Sequence, residues 1–252
     1  MKLKFLGTGT SAGVPILTCH CVVCSSADPH DKRTRPSVLL EYDERVVVID
    51  TTPDFRAQAL REGLERLDAV VFTHAHADHI LGLDDTRLFY FRQKTPIPIF
   101  GDERCLATIR ATFAYIFNGG QAYPGVGKLD AHCISGPFEL WGLKLTPIPV
   151  LHGNMPILGY RFRDAAYITD VSAIPEASFP LLESLDVLIL DALRHKPHPT
   201  HLSLDQALAL VERIQPRRAF FTHIAHELGH AETNARLPAH VRLAHDGLEL
   251  EV

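Results

Sequence analysis

The sequence lacks the features of a membrane-anchored, secreted or disordered protein. No stretch approaches the roughly 18 consecutive apolar residues that a membrane-spanning helix needs. The apolar stretch within residues 1–7 is too short for a secretory signal and is followed by glycine. Repeats, low-complexity segments and linkers are also missing, and 46% hydrophobic with 22% charged residues is typical of a globular chain. We therefore expect a cytoplasmic protein with a single domain over residues 1–252.

Basic residues are outnumbered by acidic ones, 25 to 30, and the sequence contains five cysteines. The formal net charge of −5 argues against a general basic surface that would bind nucleic acid. The five cysteines are an odd number, and three of them, Cys19, Cys21 and Cys24, fall within six residues. Disulfide pairing explains this spacing poorly, whereas thiolate coordination of a metal explains it well.

Histidine is concentrated in one short segment. Thr73-His-Ala-His-Ala-Asp-His79 follows the apolar run at 69–72 and contains four side chains that can bind a metal: His74, His76, Asp78 and His79. A spacing of two places His74 and His76 on the same side of an extended chain, unlike helical zinc motifs with a spacing of four. Alternatively, Asp78 caps a helix that starts near His79 and the histidines are ordinary surface residues. The density of imidazoles favours a metal site.

Three further candidate ligands follow predicted strands. His152 comes after residues 148–151, Asp170 after 166–169 and His223 after 219–222. Each alone is more typical of a polar residue at a strand end, but strand ends converge in layered folds. Helices are predicted at 53–63, 175–185 and 203–214, the last with Ser203 as its N-cap. Together with the strands they indicate a mixed α/β domain with two sheets and outer helices.

Some local structure follows from propensity and turn signals. Residues 37–42 and 45–50 read as a hairpin across Asp43-Glu44, and 248–252 as a strand at a sheet edge. The glycine-rich segment 117–129 is either an active-site lid or an inert loop.

The order of the candidate ligands resembles that of the metallo-β-lactamase superfamily over almost the whole chain. The resemblance implies a four-layer αββα sandwich. It also implies that His74, His76 and His152 hold one divalent ion, that Asp78, His79 and His223 hold a second, and that Asp170 bridges both. The donors suit Zn²⁺, Mn²⁺ or Fe²⁺. Two adjacent ions activate a shared water, so hydrolysis is the natural reaction.

A hydrolase also needs a group that protonates the departing oxygen. Our candidate is His201, in the polar loop 192–202, with His195 and His198 as competitors in the same loop. We expect His201 and the ligand carboxylate of Asp78 to be the catalytic residues.

The N-terminal motifs indicate one branch of the superfamily. Phe5-Leu-Gly-Thr-Gly9, Ser11-Ala-Gly-Val-Pro15 and Cys19-His-Cys-Val-Val-Cys24 resemble the phosphoribosyl 1,2-cyclic phosphate phosphodiesterase (PhnP) family. That resemblance implies a structural zinc on Cys19, Cys21, Cys24 and His226, which would staple a loop at about 10–36. His20 or His30 are alternative sources of the nitrogen ligand. It further implies a homodimer acting on small cyclic phosphodiesters such as 5-phosphoribosyl 1,2-cyclic phosphate.

Three other functions fit parts of the pattern. A transfer RNA 3′-processing endonuclease shares the first loop and the metal ligands, but the acidic balance and the single lysine in 117–129 leave few phosphate contacts for a nucleic acid. A lactonase or thioesterase fits the ligands but does not need the cysteines. A non-catalytic scaffold resembling pyrroloquinoline quinone biosynthesis protein B shares the loop and thiols.

Overall fold

The computed structural model describes residues 1–117 and 125–252. These residues form two compact units. The first contains residues 1–6, 37–135 and 249–251, and the second contains residues 7–36, 136–248 and 252. Within the described residues, no helix has the length and apolar character needed to cross a membrane. The single-domain organisation stays a prediction.

The first unit is built on a seven-stranded mixed sheet in the order β14-β1-β2-β3-β4-β5-β6. The strands are β1 (Lys2–Gly7), β2 (Ser37–Tyr42), β3 (Arg45–Ile49), β4 (Ala69–Val71), β5 (Ile97–Gly101), β6 (Leu129–Cys133) and β14 (Glu249–Glu251). The helices are α1 (Phe55–Arg61), α2 (Ala77–Ile80), α3 (Arg87–Gln93), α4 (Glu103–Thr112) and α5 (Ala114–Phe117), with a 3₁₀ helix at Leu83–Thr86.

The predicted hairpin and the predicted edge strand are confirmed. β2 and β3 pair antiparallel, with Tyr42 opposite Arg45, and both turn residues, Asp43 and Glu44, have positive φ as the tight turn requires. β14 pairs antiparallel with β1 at the edge of the sheet. From β3 to β6 the pairing is parallel, so these strands all end at one edge.

The second unit contains another seven-stranded sheet, whose strands lie in the order β13-β12-β11-β10-β9-β8-β7. The strands are β7 (Phe138–Leu140), β8 (Leu143–His152), β9 (Met155–Phe162), β10 (Ala165–Ile168), β11 (Val187–Asp191), β12 (Arg218–Thr222) and β13 (Val241–Leu243). The helices are α6 (Leu204–Ile214) and α7 (His230–Asn234), with 3₁₀ helices at Pro29–Asp31 and Glu176–Leu182.

In this sheet β7 to β10 are antiparallel, and β10 to β13 are parallel. Helix α6 begins at a capping box, in which the Ser203 hydroxyl accepts from the Gln206 N–H and the Gln206 amide oxygen accepts from the Ser203 N–H. The predicted serine cap is therefore confirmed. The buried face of α6, with Ala207 and Val211, packs into the same apolar core as the parallel strands.

The helix expected over 175–185 is wrong, because a 3₁₀ helix occupies only Glu176–Leu182 and Pro180 within it has no N–H for an α-helical bond. The candidate lid at 117–129 falls largely on residues 118–124, which lie outside the described residues, so its role stays a prediction.

Candidate metal centre

The histidine segment of the first unit begins where two parallel strands end side by side. Ile49 of β3 pairs with Val71 of β4, so Asp50 and Thr73 leave the same edge of the sheet. The Thr73 N–H and hydroxyl both donate to the Asp50 carboxylate, each at 2.8 Å. Asp50 is fully buried and has a φ of 66°, a strained conformation of the kind found at functional sites.

The Asp50 carboxylate fixes the tautomers of two histidines. His79 Nδ1 lies 2.8 Å from Asp50 Oδ2 and therefore donates to it. The Thr73 hydroxyl has already donated its proton to Asp50, so it accepts from His74 Nδ1 at 3.0 Å. Both rings consequently present Nε2 as the atom with a lone pair, the state that a metal ligand requires.

The remaining members of the segment lie beside these two rings. The ring centroid of His74 is 4.6 Å from that of His76 and 4.1 Å from that of His79. Asp78 Oδ2 is 3.5 Å from His79 Nε2. The structure therefore brings all four predicted residues of the segment together. Asp50 was missed as a site residue, although the sequence showed an acid directly after an apolar strand.

The second unit gathers its polar residues in the same way. Asp170 follows β10, Asp191 ends β11 and His223 follows β12, and these three strands are parallel neighbours. Functional groups collect at the carboxyl ends of such strands. His223 Nε2 lies 3.1 Å from Asp170 Oδ1, and His223 Nδ1 lies 3.4 Å from Asp191 Oδ1. Asp170 and His223 both have positive φ, at 56° and 57°.

His201 is placed in this cluster by Asp191. His201 Nδ1 is 3.3 Å from Asp191 Oδ1, while the other carboxylate oxygen accepts from the Leu202 N–H at 2.9 Å. The His201 ring stacks on His223 with centroids 4.6 Å apart. Asp191 is fully buried, and this burial raises the pKa of its carboxyl group, while the contact with His201 opposes the rise. Asp191, like Asp50, was missed by sequence reasoning.

His152 completes the second cluster. His152 Nδ1 donates to the Thr200 carbonyl at 2.8 Å, which again leaves Nε2 as the possible ligand atom. One ligand atom each from His152, Asp170 and His201 lie within 4.8 Å of one another. Among the competitors, His198 has its ring centroid 5.2 Å from that of His201, and its Nδ1 accepts from the Thr200 N–H at 3.3 Å. His195 is in none of the candidate metal groups found among the described residues.

The three clustered cysteines converge on His226. Their Sγ atoms lie 3.2, 3.4 and 3.4 Å from His226 Nδ1, for Cys19, Cys21 and Cys24 respectively. Tetrahedral zinc with Zn–S of about 2.3 Å and Zn–N of about 2.1 Å separates sulfur from nitrogen by about 3.5 Å. The donors and their spacing therefore fit a closed zinc site.

The alternative nitrogen donors lie elsewhere. His20 is exposed, and the ring of His30 contacts the rings of His230 and His245, with centroids 4.6 and 4.1 Å away. The thiol cluster also receives backbone N–H groups, from Cys24 to Cys21 Sγ and from Ile16 to Cys24 Sγ, both at 3.4 Å. The N–H of Cys24 lowers the pKa of the Cys21 thiol to about 7, which favours the thiolate.

A family model described as beta-lactamase superfamily domain matches residues 45–224. Among solved structures, a diphosphatase from the PhnP family is 50% identical, with a TM-score of 0.94, over 100% of this chain and 97% of the other. Zn²⁺-bound PqqB from Methylobacterium extorquens has a TM-score of 0.81 at 22% identity over the full length of both chains. The latter similarity concerns the fold alone.

Curated relatives are longer than this chain. An octanoyltransferase of Porphyromonas gingivalis is 38% identical over 254 residues, covering 99% of this chain and 51% of the relative. Coenzyme PQQ synthesis protein B of Xanthomonas oryzae pv. oryzae is 29% identical over 171 residues, covering 62% of this chain and 54% of the relative. The chain thus spans about half the length of the curated relatives it matches.

Proposed function

This chain belongs to the beta-lactamase superfamily, and we propose that it is a metal-dependent hydrolase that cleaves phosphodiesters. The expected αββα metallo-β-lactamase fold and the resemblance to the PhnP family are confirmed by the comparisons. The observation that carries the proposal is the cluster of the second unit. There, His201 is oriented by a buried carboxylate and lies within 4.8 Å of the candidate ligands His152 and Asp170.

The proposed metal ligands follow the order implied by the family. His74, His76 and His152 would hold one ion, Asp78, His79 and His223 the other, and the Asp170 carboxylate would serve both. Imidazole nitrogens and carboxylate oxygens fit Zn²⁺, Mn²⁺ or Fe²⁺, and the Nε2 tautomers of His74, His79 and His152 support this proposal. When bound, such ions supply an activated water and polarise the phosphoryl oxygens.

The chain's own residues contribute orientation and a proton. Asp50 orients the ring of His79 by accepting a hydrogen bond from it, and it orients His74 indirectly through the Thr73 hydroxyl. The Thr200 carbonyl orients His152 in the same way. Asp191 accepts from His201 Nδ1, so His201 Nε2 is the atom that would protonate the departing alkoxide. Asp78 would act as a ligand carboxylate beside the reacting phosphorus.

The proposed substrate is a small anionic diester, for example 5-phosphoribosyl 1,2-cyclic phosphate. Two divalent ions, the two ligand carboxylates and a hydroxide would sum to about +1 at the ligand atoms, which favours an anion even on an acidic protein. The further carboxylates Asp50 and Asp191 contact the Nδ1 atoms of the histidines and not their Nε2 atoms. A second candidate is a diphosphate linkage, which the 50% identical PhnP-family diphosphatase favours. Both reactions displace an oxygen from phosphorus and would use the same residues.

The test is a substrate panel on protein stripped of metal and reloaded separately with Mn²⁺, Zn²⁺ or Fe²⁺. The panel holds bis(p-nitrophenyl) phosphate, a cyclic ribose phosphate, a dinucleoside diphosphate, precursor transfer RNA, a lactone and an octanoyl thioester. We expect metal-dependent hydrolysis of the diester or diphosphate compounds. Cleavage of the lactone or thioester alone would contradict phosphodiester hydrolysis. Cleavage of the RNA alone would keep that reaction but contradict a small substrate. Bound metal without any hydrolysis would favour the scaffold.

Two matched controls sharpen this experiment. His152→Ala removes a proposed ligand and should lower both the metal content and the activity. His132→Ala removes a half-exposed histidine of β6 that pairs with Asp130, and should change neither. We also propose that Cys19, Cys21, Cys24 and His226 bind a structural zinc. The cytoplasmic location and the homodimer remain predictions, and light scattering would test the latter.

A further inference from the structure

Arg33 is a charged side chain in an unusual environment. It is 2% exposed and is the largest of the fully buried side chains among the described residues. Burial lowers the pKa of Arg33, although the nearby Asp31 carboxylate opposes this effect. Because removing a guanidinium group from water is costly, its position requires good hydrogen-bonding partners.

Three of its four partners are backbone carbonyls, and two of these belong to the turn 225–228. Arg33 Nη1 donates to the Ala225 carbonyl at 3.0 Å, and Nη2 donates to the Leu228 carbonyl at 2.7 Å. Nη2 also donates to Asp31 Oδ1 at 3.1 Å, and Nε donates to the His30 carbonyl at 3.3 Å. The planar guanidinium thus donates hydrogen bonds to the first and last residues of the turn 225–228. Lysine cannot do this, because its single ammonium group lacks the spread of donors in a fixed plane.

This turn connects the two candidate sites of the second unit. It contains His226, which lies among the three thiols, and it begins two residues after His223. The Ala225 N–H donates to the Leu193 carbonyl at 2.9 Å, and the Leu193 N–H donates to the Leu202 carbonyl at 3.0 Å. Ala225 is therefore bonded on one side to Arg33 and on the other to the base of the loop that carries His201.

Arg33 is itself firmly anchored in the cysteine segment. Its N–H and carbonyl both pair with Val14, each at 2.8 Å. Gly9 packs so closely on it that an added Cβ would lie 2.8 Å from the Arg33 carbonyl oxygen. A shift of residues 10–36 would therefore be transmitted through Arg33 to the turn.

We propose that Arg33 is a positioning residue that couples the thiol–His226 cluster to the catalytic histidines by fixing the turn 225–228. This inference rests on the proposed function for its catalytic part. Zinc bound at the thiol cluster would fix the cysteine segment, residues 10–36. Arg33 of this segment would then fix the turn 225–228, and the turn would fix the positions of His223 and His201.

The test compares Arg33→Lys and Arg33→Met with wild type. Both variants should release zinc to a chromogenic chelator faster. In Co²⁺-substituted protein, the thiolate charge-transfer band should change. With the diester substrate, kcat should fall by about tenfold or more while KM stays within about twofold, as expected for a loss of positioning. A third variant, Arg33→Ala, removes the side chain and leaves space for a free guanidinium ion. Adding guanidinium to this variant should partly restore kcat.

Leu185→Ala is the matched control for stability. Leu185 lies two residues before β11, and its buried apolar side chain belongs to the core of the second unit. This variant should lower the unfolding midpoint without altering zinc release or kcat. If the Arg33 variants keep wild-type zinc release and kcat, or lose kcat only as Leu185→Ala does, the proposal is wrong. If wild type hydrolyses none of the substrates, the proposed function fails, whereas zinc release and the cobalt spectrum still decide whether Arg33 supports the thiol cluster.

Discussion

Asp191 and His201 form a buried carboxylate–imidazole pair, with Asp191 Oδ1 3.3 Å from His201 Nδ1. The same oxygen lies 3.4 Å from His223 Nδ1, so a single carboxylate lies beside both a candidate proton donor and a candidate metal ligand. Partners of this kind typically change activity or metal affinity by about 10–100-fold when they are removed.

We expect Asp191→Asn to lower kcat by about 10–100-fold and to weaken binding of the ion that we propose His223 holds. The amide can still accept from one ring, but it carries no charge to stabilise an imidazolium. Steady-state kinetics and metal titration would check this. Asp186→Asn is the control, because Asp186 lies directly before β11, at the opposite end from Asp191, and is partly exposed. Wild-type kinetics in Asp191→Asn would show that the carboxylate has no catalytic role.

We expect the loss caused by His201→Ala to depend on the leaving group. With an alkyl or ribosyl ester the departing alkoxide needs a proton, and kcat should fall by about 10²–10⁴-fold. With bis(p-nitrophenyl) phosphate the nitrophenolate departs readily without one, so the loss should be much smaller. Metal content should stay at the wild-type level. The possible ligand atoms of His201, His152 and Asp170 lie within 4.8 Å of one another. A loss of metal in His201→Ala would therefore identify His201 as a metal ligand instead of a proton donor.

The comparison of sequence with structure explains which site residues could be predicted. His74, His76, Asp78 and His79 are contiguous, so their local density is visible without a fold. Asp50 and Asp191 are single acids at the ends of apolar strands, and only the pairing of neighbouring strands brings them to the histidines. They were missed because that pairing cannot be read from local spacing.

In the fold, too, local signals in the sequence are the ones that could be predicted. The Ser203 cap and the Asp43-Glu44 turn are local signals, and both are confirmed. Helix α3 was missed because its apolar residues form the continuous run Leu88–Phe91, which has no helical period, and none of its residues is buried. Arg33 gave no signal either, since an arginine in a basic stretch reads as exposed until the carbonyls that satisfy it are known.

We expect Cys21→Ser to abolish zinc binding at the thiol cluster and to lower the free energy of unfolding by several kcal/mol. In such sites the energy of metal binding contributes directly to folding. Metal analysis and urea unfolding measure the two effects. Cys133→Ser is the control, because Cys133 is exposed and lies outside the cluster. Equal zinc content in the two variants would contradict a zinc site here.

We expect Gly82→Ala to destabilise the first unit by roughly 3 kcal/mol, the upper part of the range for overpacking. An added Cβ would lie 2.0 Å from the Thr52 carbonyl oxygen, and the Gly82 N–H also donates to Thr51. The backbone must move, and α2, which carries Asp78 and His79, ends just before this point. Metal affinity should therefore fall as well. Gly136→Ala, with no atom within 4 Å of the added Cβ, should leave the midpoint of unfolding and the metal content unchanged.

We expect the protein to lose stability between about pH 6.5 and 4 partly through His230. Burial, and then the neighbouring His30, lower the pKa of His230 to about 4. In the unfolded chain its pKa is close to 6.5, so acidification protonates the unfolded chain first and favours it. Stability from this group is complete above the unfolded pKa and is lost as the pH falls towards the folded one.

The variant His230→Gln tests this effect because it removes the titration and keeps the backbone N–H bond to Asp31. Discounted for partial solvent exposure, the contribution lost between pH 7 and pH 5 is about 1 kcal/mol. The difference in unfolding free energy between those two pH values, measured with urea, should shrink by that amount in His230→Gln. It should not shrink in the exposed His240→Gln. An unchanged difference in His230→Gln would show that His230 does not contribute to the acid sensitivity.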